Sequence, residues 1–130
     1  MSYYIDIQNA LDAPLPVAEV DITKYAKLAL TGRCADGELT IRLVDTDEMV
    51  YLNETFRKKT GPTNVLSFPS SLPEGVVLDA PLLGDIIICP EVLAKECIEQ
   101  NKTLEEHWAL ITIHGVLHLL GYDHINDEDA

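Results

Sequence analysis

Apolar and polar positions alternate in "SYYIDI", residues 2 to 7, and again in "ELTIRLVD", residues 38 to 45, which predicts two strands. Between them "LPVAEVDITKYAKLALTG" carries helical periodicity, with a proline near its start and Gly32 at its end. Asp45 and Glu48 are spaced as a capping box ahead of "EMVYLNETFRKKTG", read as an amphipathic helix closed by Gly61. "NVLSFP" predicts a third strand. Residues 70 to 81 hold two prolines and a glycine and predict a loop. The unbroken aliphatic run of "LLGDIIIC" then suggests a strand buried on both faces. Pro90 opens a helix through about Gln100, and Thr103 with Glu106 forms another capping box before a last helix over 104–120. That helix is apolar on nearly every side, as in helices packed at the centre of a protein. The prediction is a single α/β or α+β domain over 1–130, with a small mixed sheet of about four strands packed against helices.

Composition narrows the class of protein. The longest uncharged stretch near the C-terminus, "WALITIHGVLHLLGY", is too short and too rich in histidine for a bilayer span, and residues 1 to 20 lack a basic start followed by an apolar run. The expectation is a cytoplasmic protein with no membrane contact. Cys34, Cys89 and Cys97 have no CxxC spacing and read as small buried hydrophobes. The net charge of −13 argues against broad attraction to nucleic acid, so an anionic substrate must meet a local positive spot. Arg57, Lys58 and Lys59 supply three of the nine basic residues consecutively.

The stretch "IHGVLHLLGYDH" raises a different question, because it puts three imidazoles into the most apolar helix. His114 and His118 stand one helical turn apart, with β-carbons roughly 5 to 6 Å apart on one face. Gly121 follows where a left-handed residue commonly ends a helix, and the turn "GYD" can swing His124 back over that face. The pattern HxxxHxxGxxH has the spacing of the metzincin zinc site, which makes this a zincin-like metal helix. Three imidazoles leave one coordination position open, with zinc as first choice and nickel or another first-row divalent ion also suited. Gly115 stands where the peptidases carry their glutamate base, so peptide hydrolysis by the usual route is not expected. His107 lies on the same stripe, but seven residues along a helix is about 10.5 Å, too far to share the ion, so a structural role or one supporting the ligands is expected for it.

With "HGVLHLLGYDH", "LNETFRKKTGPTNVLSFP", "LLGDIIIC" and "EEHWALITIHG" in this order over roughly residues 45 to 124, the sequence resembles the YbeY family of bacterial metal-dependent endoribonucleases associated with ribosomal RNA maturation. Asn64 departs from the aspartate more usual in the family, and the chain ends before the acidic helix that usually follows the third histidine. The resemblance implies that His114, His118 and His124 hold the ion and that Arg57 acts on the substrate. It further implies single-stranded or ribosomal RNA, the ribosome and ribosomal proteins as partners.

The surrounding candidates each have two readings. Arg57 is a phosphate-gripping fork or a solvated helix-end cation, and Lys58 and Lys59 steer phosphate or only solubilise. Asp85, in an apolar strand, is expected to accept hydrogen bonds or orient a ligand imidazole, while Asp123 caps the turn or supports His124. Ser67 and Phe68 offer backbone groups or a stacking face to single-stranded RNA, or are ordinary core. The main expectation is an RNA-cleaving metalloenzyme. The alternatives are a metal-stabilised ribosome-assembly factor with little cleavage of its own, and a zinc peptidase or amide hydrolase.

Overall fold

The computed structural model describes residues 2–11, 13–70 and 82–121. Four strands, β1 (Ser2–Asn9), β2 (Asp36–Leu43), β3 (Val65–Pro69) and β4 (Leu82–Ile88), form one mixed sheet in the order β1-β2-β4-β3. β1 and β4 run parallel to β2, and β3 closes the edge antiparallel to β4. Helices α1 (Glu19–Leu30), α2 (Thr46–Phe56), α3 (Pro90–Gln100) and α4 (Leu104–Leu119) complete the order. The predicted single mixed sheet of four strands with helices is therefore the observed one.

Strand alternation decides which helices cover which face. Leu39, Ile41, Leu43, Ile86 and Ile88 point to one side and pack with Ile22, Ala26 and Leu30 of α1 and Trp108, Val116 and Leu119 of α4. Ile87 and Leu66 point to the other side, where Met49, Val44 and Cys89 form a smaller cluster under α2. α4 lies directly on the sheet through one buried stripe that includes Trp108, Ile111, Gly115, Val116 and Leu119. Leu110 and His114 on its other side are exposed. The helix expected to be enclosed on nearly every side is thus open along one face, because nothing among the described residues covers it.

Three boundaries differ from the sequence reading, each for a local reason. Pro14 and Pro16 stay outside α1, which starts only at Glu19 with Glu19 and Asp21 facing its positive end. α2 stops at Phe56 rather than running to Gly61. The Asn53 carbonyl accepts from both Arg57 N and Lys59 N, and Lys58 adopts φ 58°, so the three basic residues form a turn past the helix. β4 is buried on both faces only over residues 86–88, whereas Leu82 and Asp85 are exposed. Gly121, at φ 97°, takes the predicted left-handed conformation after α4. The expected loop over 71–81 and the turn and tail over 122–130 lie outside the described residues.

Candidate metal and phosphate site

α4 reaches the sheet beside its edge strand, and a cleft of about 420 Å³ opens between α4, β3, α3 and the turn after α2. His114 and His118 project into it from successive turns of α4, with ring centroids 4.4 Å apart and planes tilted by 36°. The pairing follows directly from the i, i+4 spacing. The cleft walls and, secondarily, His118 hold the His114 pKa below the ordinary imidazole value, although one side of the ring remains open to solvent. His114 is thus favoured in its neutral form, the form that ligates a metal.

Two imidazoles stacked this way suit a first-row divalent ion, and they are half or more of the donors such a site requires. No set of three potential ligands gathers among the described residues. His124 and its neighbour Asp123 lie outside them.

Gly115, between the two histidines, explains itself sterically. A Cβ there would stand 3.0 Å from Ile86 Cγ2 and 3.2 Å from Val65 Cγ2. The glutamate that peptidases carry at this position has no room, because α4 presses its backbone onto β3 and β4. The same approach lets Ser67 Oγ donate to the Gly115 carbonyl at 2.8 Å. Ser67 therefore straps the edge strand to the histidine turn instead of presenting its hydroxyl proton to a substrate.

Arg57 and Lys59 also line the cleft and are the permanently charged cations among its described residues. Asn53, only 5% exposed, organises them: its carbonyl holds Arg57 N at 3.0 Å and Lys59 N at 3.3 Å, and its amide donates to the Gly61 carbonyl at 2.8 Å. Lys58, turned aside by its left-handed backbone, is not among the lining residues. Elsewhere a guanidinium is already committed, as Arg42 donates Nε to Glu48 at 2.9 Å.

His107 has the structural role expected of it, through partners that the sequence does not indicate. His107, 2% exposed, bonds Glu96 through Nε2 at 2.7 Å, and Glu96 also accepts from the Asn64 amide at 3.3 Å. Glu96 is the one acidic residue lining the cleft among the described residues, and both of its oxygens are hydrogen-bonded. An aspartate at position 64 could not donate this bond and would set a second carboxylate against Glu96. No spacing rule joins positions 64, 96 and 107, which come from the turn before β3, from α3 and from α4.

Two expectations are corrected. Asp85 is exposed and alternates with Ile86, so it faces away from α4 and cannot orient either described imidazole. Phe68 likewise faces away from the cleft, packing on the α2 side against Phe56.

Known proteins resemble the chain over most of its length. A family model described as "Endoribonuclease YbeY" matches residues 9–130. A Legionella pneumophila protein named Endoribonuclease YbeY is 62% identical over 130 residues, covering 100% of this chain and 82% of that one. A Pseudomonas putida protein of the same name is 54% identical over 126 residues, covering 97% and 79%. A solution structure of a Thermotoga maritima protein superposes with a TM-score of 0.59 at 30% identity, covering 97% of this chain and 79% of that chain.

Proposed function

The chain belongs to the YbeY family, and we propose that it is a metal-dependent endoribonuclease that cuts single-stranded RNA during ribosomal RNA maturation in the cytoplasm. One observation carries the reading. In a protein of net charge −13, a single cleft gathers a stacked histidine pair with Arg57 and Lys59, and Glu96, the one acid lining it among the described residues, is already hydrogen-bonded. Such a spot admits a phosphodiester where the rest of the surface repels it.

His114 and His118, joined by His124, would hold one ion, with zinc first and nickel or another divalent first-row metal next. When bound, that ion supplies Lewis-acid polarisation of a phosphoryl oxygen. The chain's own residues do the rest. Arg57 offers a planar fork that matches two phosphate oxygens, and its hydrogen bonds strengthen as negative charge accumulates there. Lys59 adds a point charge beside it. Asn53 fixes the turn that carries both, so they are aimed before substrate arrives. Single-stranded RNA suits a cleft of about 420 Å³ because a flexible strand can bend a phosphate into it with its bases splayed aside, whereas an A-form duplex is a wide, stiff rod. A basic ribosomal protein as partner would offset the protein's own acidity. No helix among the described residues is long and apolar enough to cross a membrane.

The test is incubation of purified protein with single-stranded RNA, duplex RNA and casein, with and without chelator. Chelator-sensitive cutting of single strands that is lost in Arg57→Ala is the expected result. Metal-bound protein that never cuts RNA yet supports ribosome maturation would make it an assembly factor, and cleavage of casein would make it a peptidase.

A further inference from the structure

The chain contains two phenylalanines, and the fold brings both together on the face of the edge strand turned away from the cleft. Phe56 ends α2 immediately before Arg57, and Phe68 lies on the edge strand β3. Their ring centroids are 5.6 Å apart at 73°, an edge-to-face pair. Phe68 is half-buried against the α2-side cluster, but Phe56 remains 58% exposed. A ring without any polar group is an unfavourable thing to leave in water. Other exposed apolar side chains, such as Val20, Leu28 and Ile98, belong to outer helix surfaces remote in sequence from the basic turn.

The basic turn connects this ring to the cleft. Arg57 and Lys59 line the cleft, whereas Phe56, the residue immediately before Arg57, packs on Phe68 of the edge strand. Asp85 is in register with Phe68 on the same face and is exposed. Its charge disfavours phosphate on that side and leaves acceptors for the amino groups of a base. Phosphates are thereby directed to the Arg57–Lys59 side and bases to the rings.

We infer that Phe56, backed by Phe68, is a stacking platform for a base of single-stranded RNA flanking the nucleotide whose phosphate occupies the cleft. The inference rests on the RNA-cleaving reading above and adds a binding subsite to it. Base–aromatic stacking is sequence-tolerant and uncharged, so the subsite would lengthen the bound segment without selecting a sequence.

The test measures binding of a fluorescent single-stranded RNA to metal-loaded wild type, Phe56→Ala, Phe56→Leu and Phe56→Trp over a salt series. Loss of stacking is expected to weaken binding by about 5- to 100-fold in both the Ala and Leu variants. Phe56→Trp retains wild-type affinity, and the salt slope stays the same in all four because no phosphate contact is lost. Thermal unfolding identifies any variant that fails to fold. If Phe56→Leu binds as wild type does, the ring serves only to pack on Phe68 and the platform is refuted. The platform is equally refuted if all variants bind alike. Failure of the wild type to bind RNA would instead overturn the RNA-cleaving reading itself, and the platform with it.

Discussion

Replacing Gly115 with alanine sets two effects of known size against each other. In an uncrowded helix interior the change would stabilise the fold by about 1 kcal/mol, because glycine loses more backbone freedom than alanine. Here the new methyl group would meet Ile86 Cγ2 at 3.0 Å and Val65 Cγ2 at 3.2 Å. Ile86 is fully buried between β2 and the helices, and both neighbours are β-branched, so neither can easily swing aside. Overpacking of this sort costs about 1–3 kcal/mol. The net expectation is a loss of about 1 kcal/mol. For a domain of 130 residues that corresponds to a fall in Tm of about 4 °C. The assay is thermal unfolding of metal-free protein by circular dichroism, with metal-free wild type as reference. A Tm equal to or above the wild-type value would refute the claim that close packing of α4 on the sheet explains the glycine. Gly115→Glu, with a far larger side chain in the same space, is expected to prevent folding or to drop the Tm much further.

Arg57→Ala is expected to reduce cleavage of single-stranded RNA by about 100- to 1000-fold, the usual cost of losing one donor to developing charge. Arg57→Lys, which keeps the charge but not the fork, should recover only part of that rate in the same assay. Glu96→Ala would leave buried His107 without its one described partner, because Nδ1 already has none among the described residues. The expected loss is about 1–3 kcal/mol, read as a fall in denaturation midpoint. The pH dependence follows from His114, whose folded pKa lies below its ordinary 6.5 because of burial and then His118. Stability of the metal-free protein should hold above about pH 6.5 and decline as pH falls from there through the folded pKa, since only the unfolded chain takes the proton readily. Tm measured from about pH 7.5 to about pH 5 checks this. His114→Gln should flatten the acid side, and an unchanged acid slope in that variant would count against the assignment.

Much of this fold could be read from hydrophobic period and caps. All four strands and four helices fall where alternation, the Thr103–Glu106 capping box and Pro90 predict them. The histidine pair was equally legible, since i, i+4 spacing fixes neighbours on a helix. What could not be read was tertiary. Asp85 looks buried by its sequence neighbours, but burial of a strand residue depends on which face is covered, and α4 covers the other one. Phe68 reads as a cleft residue until the register puts Ser67, not Phe68, on the α4 side. The basic run looks helical because lysine and arginine favour helices, yet two bonds to the Asn53 carbonyl bend it into a turn. Asn64, Glu96 and His107 meet only because α3 and α4 pack beside the turn that leads into β3.

X-ray absorption at the metal edge of the zinc-loaded protein, compared with His124→Ala, counts the ligands directly. Three imidazole nitrogens at about 2.0–2.1 Å with one further exchangeable light atom, falling to two imidazoles in the variant, is the predicted spectrum. A wild-type shell of only two imidazoles, or one filled by four protein ligands, would contradict a shared and accessible ion.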